Sequence, residues 1–316
     1  MRAGLLGLVI GAAAQLAAPL VFLLPAPASA AVNVVATTTD LASLVREVGG
    51  NLVSVESIVP AGVDPEAFEP RPGDLSRLRH ADLLMRVGLG YDYWLDALVR
   101  QIGDKRLMPG GEANVDASAG IPLLEIRGQS VVSEGGHAHG VANPHYWLDP
   151  DNAVTVTASI ADALVRIAPA QREQILANRA QFLSRLATAR ARWSETLAPF
   201  AGTKLIAYHN SWPYFARRFR LDVVAFIEAK AGVSPSPAHL AQVISAGGKA
   251  NVRAIVHEPY EPDDASRLVA RKLSVPMARL AITVGSIEGT NDYLALFDYN
   301  VATLAKALGA RSPLAQ

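Results

Sequence analysis

From Val32 onward the chain alternates short apolar runs with amphipathic stretches, the pattern of parallel strands joined by helical crossovers. Val32–Ala36 predicts a strand. Asp40–Val48 predicts a helix that Asp40 can cap and that Gly49 and Gly50 stop. A second strand, Val53–Val59, ends at Pro60-Ala61-Gly62. A helix over Asp74–Arg79, a strand over Leu83–Val87 and a helix over Trp94–Ile102 follow. Arg127–Gly140 is polar and Gly-rich and reads as an exposed loop.

Pro169 to Leu197 contains no Gly and no internal Pro. Apolar or aromatic residues fall at Ile175, Phe182, Leu186, Ala189, Trp193 and Leu197, a 3.6-residue stripe interrupted at Arg179, where Ala180 covers the turn. At 1.5 Å per residue such a helix is roughly 40 Å long. Periodicity alone allows it to lie along two domains or within one. After Phe200 the alternation resumes. Leu205–Tyr208, Val223–Ile227, Ala254–His257 and Met277–Ala281 read as strands. Trp212–Phe219, Ala238–Gly247, Asp263–Leu273 and Asp292–Leu308 read as helices. The expected fold is α/β, with two parallel-sheet units of similar size, one before and one after the long helix.

The opening thirty residues follow a different pattern. Arg2 precedes an apolar run from Leu5 to Leu24, and Ala28-Ser29-Ala30 is a small-x-small cleavage site. The prolines and small residues at its exit favour a cleaved secretory signal peptide over a membrane anchor, although the run approaches spanning length. The expected organisation is therefore a signal peptide at 1–30, an N-terminal lobe at 31–168, a linking helix at 169–199 and a C-terminal lobe at 200–316. The mature protein is expected to be soluble and exported.

Composition narrows the function. Lys+Arg and Asp+Glu both number 29, so no excess of positive charge draws the chain to nucleic acid. The absence of cysteine excludes disulfides, thiolate metal sites, cysteine nucleophiles and a thiol-linked lipid anchor. There is no H-E-x-x-H, P-loop or dinucleotide fingerprint.

Open α/β sheets bind ligands at the carboxyl ends of their strands, so candidate chemistry is sought there. Prolines stiffen the acidic loop Pro60–Pro70 and suit it to holding Glu66 or Glu69. His145 lies among aromatics and prolines in Asn143–Pro150. Just upstream, His137 and His139 sit in the polar loop as transient collectors of metal. His209 follows the strand Leu205–Tyr208. Ser211 lacks a G-x-S-x-G elbow, which argues against a serine hydrolase. His257 and Glu258 should point to opposite sides of their strand, and Glu258 is the one expected to face the cleft. His80 and His239 read as surface residues.

These residues resemble the zinc/manganese/iron solute-binding proteins of ABC importers. The resemblance is carried by Thr37-Thr38-Thr39-Asp40-Leu41, Val48-Gly49-Gly50-Asn51, the loop Pro60–Pro70, His80-Ala81-Asp82-Leu83, Asn143–Pro150, Tyr208–Leu221 and Asp292–Asn300. It implies two α/β lobes bridged by a long helix, small opening and closing movements, and a metal held by ligands from four loops. His145 and His209 match the second and third ligands. Glu66 stands where the family has its first histidine. No carboxylate occupies Leu280–Gly285, where the family has an aspartate, so Glu258 or water is expected as the fourth ligand.

Two imidazoles and a carboxylate suffice for a divalent transition metal. Zinc is favoured, and manganese and iron are possible. The resemblance implies a non-enzymatic, monomeric binding protein that delivers its ion to an inner-membrane ABC permease. A periplasmic metal chaperone or binder of another ligand is the first alternative, and a metallohydrolase using an open coordination position is the second.

Overall fold

The computed structural model describes residues 31–126, 142–230 and 232–309. The export signal expected over Met1–Ala30, and His137 and His139, lie outside these residues. Strands β1 (Val32–Ala36), β2 (Val53–Ser57), β3 (Leu83–Arg86) and β4 (Asn114–Asp116) form one parallel sheet in the order β2-β1-β3-β4. Strands β5 (Lys204–Ala207), β6 (Asp222–Phe226), β7 (Ala254–His257) and β8 (Met277–Arg279) form a second in the order β6-β5-β7-β8. The two orders are the same. In each, one central strand is buried along its whole length: β3 (Leu-Leu-Met-Arg) in the first and β7 (Ala-Ile-Val-His) in the second. Parallel sheets covered on both faces require such runs.

Helices α1 (Thr39–Gly49), α2 (Pro72–Arg79), α3 (Leu95–Ile102) and α4 (Asn152–Ile167) belong to the first lobe. Helices α6 (Pro213–Phe219), α7 (Pro237–Ala250), α8 (Asp263–Leu273) and α9 (Tyr293–Ala307) belong to the second. Between them runs α5 (Arg172–Leu197), 26 residues or roughly 39 Å long. Its buried residues are Ile175, Phe182, Leu186, Ala189, Trp193 and Leu197, the predicted stripe. The interruption at Arg179 has a cause: its guanidinium reaches across to α4 and donates to Thr157 Oγ1 (3.3 Å) and Val154 O (3.1 Å).

Two elements carry no clear pattern in the sequence. β4 is a three-residue strand at the sheet's edge, too short for alternation to register. Helix α4 contains Val154-Thr155-Val156-Thr157, a β-branched run of weak helix propensity. Its burial of Val156, Ile160 and Leu164 against the first lobe's core overrides that preference.

α5 holds both lobes. Asn178 Nδ2 donates to Val48 O at the end of α1, and Arg185 pairs with Glu47. Farther along, the Trp193 ring stacks on Phe297 of α9 at 5.0 Å, and its Nε1–H donates to Asp298 Oδ1 at 2.6 Å. A single apolar cluster runs from Val34 in the first lobe to Leu304 in the second. Direct bonds add to it: Trp147 Nε1–H donates to Ile282 O (2.9 Å), and Tyr293 O–H donates to Trp147 O (2.6 Å). The lobes thus share a core, and a wide hinge opening would expose it to water. Among the described residues no helix is long and apolar enough to cross a membrane.

Candidate metal centre

The loop after β2 is fixed before it delivers a side chain. Glu66 N–H donates to Asp64 Oδ1 (2.9 Å), closing a short turn. Trp94 Nε1–H donates to Pro65 O (3.3 Å), and Phe68 packs edge-on against the Trp94 ring. Gly285, from the second lobe, approaches the same loop with φ +80; a Cβ there would lie 3.0 Å from Ala61 Cβ. Glu66 is consequently turned inward and buried, whereas Glu69 is exposed.

His145 opens a single helical turn (Tyr146–Leu148) and is 1% exposed. Its ring is enclosed by Tyr91 and Trp147, with centroids at 5.4 and 5.2 Å. Asn143 Oδ1 accepts the His145 backbone N–H (3.0 Å) and lies 3.1 Å from its Nδ1. His209 follows β5 and is 8% exposed; its Nδ1 lies 2.5 Å from Glu228 Oε2. With both Nδ1 atoms facing acceptors, each ring aims Nε2 into the cleft.

There the three side chains meet. His145 Nε2 is 3.9 Å from Glu66 Oε1, and His209 Nε2 is 3.7 Å from Glu66 Oε2. The imidazole centroids are 5.8 Å apart. One ligand atom from each residue lies within 4.8 Å of the other two. Tetrahedral zinc with bonds of about 2.0–2.1 Å places neighbouring ligand atoms about 3.3 Å apart. The two Glu66–imidazole distances exceed that by about half an ångström, and the whole set would have to contract by at most about 1.5 Å around a cation.

The electrostatics suit a cation. Burial raises the Glu66 carboxyl to about 8, with the charge of His209 pulling the other way. Burial alone would lower His209, but the Glu228 hydrogen bond and the carboxylates of Glu66 and Glu258 outweigh it and hold the imidazole up at about 9. A cavity of about 280 Å³ opens over Glu66 and His209, lined also by Asp64, Tyr208, Glu228 and Glu261. Burial and the neighbouring carboxylates raise Glu261 to about 7.

Glu258 stands apart from the three converging groups. It is fully buried, and its Oε1 accepts the Trp212 indole N–H at 2.6 Å. Burial raises it to about 7, against the pull of His209. His257 turns to the opposite side of β7, where its Nδ1 lies 2.9 Å from Ser266 Oγ on α8. Ser211 is buried. His80 is exposed, but His239 is half-buried with Nε2 3.0 Å from Phe226 O, so only one of this pair is a surface residue.

Glu228 is the residue that sequence reasoning misses. Strand register reveals it: Ala207 of β5 pairs with Phe226 of β6 on one side and with Val256 of β7 on the other. Two residues farther on, the row reads Glu228, His209, Glu258. The ladder continues that far on the β6 side, where Glu228 N–H donates to Tyr208 O (2.9 Å).

Residues 34–307 match the model of the family described as ZnuA, zinc-uptake complex component A, periplasmic. The zinc-binding lipoprotein AdcA of Streptococcus pneumoniae is 24% identical over 300 residues, 89% of this chain; the chain spans 56% of AdcA's length. The iron-binding protein YfeA of Yersinia pestis is 25% identical over 283 residues, 88% of this chain and 86% of YfeA. A crystal structure of ZnuA superposes with a TM-score of 0.75 at 27% identity, over 88% of this chain and 100% of that one.

Proposed function

The chain belongs to the family of periplasmic zinc-uptake components, and we propose that Glu66, His145 and His209 are the ligands with which it captures its ion. It is the substrate-binding protein of an ABC importer and not an enzyme. Its cargo is a divalent transition metal, zinc ahead of manganese or iron, which it delivers to a membrane permease. The metallohydrolase reading falls with that membership.

One observation carries the ligand assignment: two imidazole nitrogens and a carboxylate converge within 4.8 Å in a buried cleft. Two nitrogens and a carboxylate are an established donor set for zinc, and the carboxylate admits manganese and iron. Glu66 presents one oxygen to each imidazole and suits binding through both. The fourth position faces the cavity and is open to water. Glu258, committed to Trp212, acts by its charge on His209. The acid-lined mouth raises the local concentration of cations. Because the lobes share a core, release proceeds by loop movement on docking to the permease.

We place the mature protein in the periplasm as a soluble monomer, exported by the signal at Met1–Ala30. AdcA is by name a lipoprotein, whereas this sequence offers no cysteine for lipid attachment.

Titration of the purified mature protein with Zn²⁺, Mn²⁺ and Fe²⁺ tests the assignment. Submicromolar one-to-one binding, lost in both His145→Ala and His209→Ala, is the expected result. Unchanged binding in either variant would remove that histidine from the site.

A further inference from the structure

His209 follows the middle strand of three and has a carboxylate beside it on each flank. In the register set by Val256, Ala207 and Phe226, the next residues on the same face are Glu258, His209 and Glu228. The two acids are used differently. Glu258 Oε1 accepts from Trp212. Glu228 spends both oxygens on the site and its rim: Oε2 lies 2.5 Å from His209 Nδ1, and Oε1 accepts the Gly232 N–H at 2.6 Å. Its side chain is 5% exposed, so water competes little for either bond.

An imidazole binds a cation with one nitrogen only if the other carries the proton and the ring plane is held. A carboxylate behind the far nitrogen does both and makes the near nitrogen a stronger donor. At His145 the same place is taken by the neutral amide oxygen of Asn143. The pair is therefore asymmetric, with one charged and one neutral backing group.

We propose that Glu228 is the positioning residue of the site: it retains the Nδ1 proton of His209, aims Nε2 at the ion, and ties the ring to Gly232 at the cavity mouth. This rests on His209 being a ligand, as proposed above. Glu228 itself does not touch the ion.

The test compares Glu228→Gln, Glu228→Leu and Glu258→Gln with the wild type, in Zn²⁺ affinity, in Zn²⁺ release to a chelator, and in the nitrogen-15 NMR signals of His209 in the Zn²⁺-loaded protein. Glu228→Leu should weaken binding 10–100-fold, speed release, and lose the protected Nδ1 proton signal. Glu228→Gln, which keeps an acceptor, should retain that signal and lose less affinity, and Glu258→Gln should leave the signal in place. If Glu228→Leu keeps wild-type affinity, or keeps the protected proton, the assignment is overturned. So it is if Glu258→Gln removes that proton. A wild-type protein that binds no Zn²⁺, or binds it without His209, would instead defeat the ligand assignment itself, and equal circular-dichroism melts confirm that the variants are folded.

Discussion

Asp40 and Val284 lie 244 residues apart in sequence, and their hydrogen bond crosses from one lobe to the other: Asp40 Oδ1 accepts the Val284 backbone N–H at 2.9 Å. Asp40 is in the first turn of α1 and has no exposed surface. Val284 belongs to the segment after β8 where a metal-binding aspartate would be expected. That segment contributes backbone to the joint between lobes and offers no carboxylate to the ion.

The Asp40–Val284 bond has a pH signature. Burial raises the Asp40 carboxyl to about 7, and the Val284 N–H only partly offsets it. A raised carboxyl binds its proton more tightly folded than unfolded, so this group's contribution is full below about pH 4 and is lost as pH rises to about 7. Asp40→Asn keeps an acceptor for Val284 and removes the titration. In urea denaturation of metal-free protein its stability should equal the wild type near pH 4 and exceed it at pH 8, by of the order of 4 kcal/mol for a shift of this size. An advantage that does not grow with pH would refute this account of Asp40.

Metal affinity should rise with pH. With His209 held near 9 and Glu66 near 8, the metal-free site keeps protons at neutral pH that an incoming cation must displace. Zn²⁺ binding is expected to tighten from pH 6 to 9, by up to about tenfold per unit for each proton displaced. Calorimetry in buffers of different ionisation enthalpy counts those protons directly. Binding that releases none would contradict the site's electrostatics.

Glu66 should matter through its charge. Glu66→Gln is isosteric and is expected to weaken Zn²⁺ binding by at least about tenfold, because it removes the one anionic group among the three proposed ligands. Glu66→His restores the residue type of the resembled family and should preserve binding while shifting preference from Mn²⁺ towards Zn²⁺. Competition titrations against a chromogenic chelator read both.

Trp193 separates stability from binding. The ring is fully buried against Phe297, and its indole N–H is bonded to Asp298. Trp193→Ala should cost about 3–5 kcal/mol in denaturation experiments, the usual cost of emptying a large aromatic site. Trp193→Phe should cost about 1 kcal/mol for the lost hydrogen bond. Since α5 supplies no ligand, Zn²⁺ affinity of the folded fraction should stay within about threefold of wild type in both.

What the sequence determines here is what repeats at short range. The stripe from Ile175 to Leu197 recurs at the helical period, so α5 and its buried face follow from residue order alone. The strand alternation that separates His257 from Glu258 is equally local, and His257 does turn to α8, away from the cleft. Motif spacing marks Glu66, His145 and His209 as candidates, each on its own loop.

Tertiary structure decides which of these groups meet. Glu258 follows β7 as His209 follows β5, yet its Oε1 accepts the Trp212 indole N–H, a partner that no spacing encodes. Glu228 becomes visible only when Ala207 is registered against Phe226, because parallel strands are neighbours through crossovers of many residues and nothing local fixes their alignment. The joint between Asp40 and Val284 depends likewise on the two lobes sharing one core. Convergence of groups distant along the chain is a property of packing, and it brings together two imidazoles and an acid that the sequence leaves dispersed.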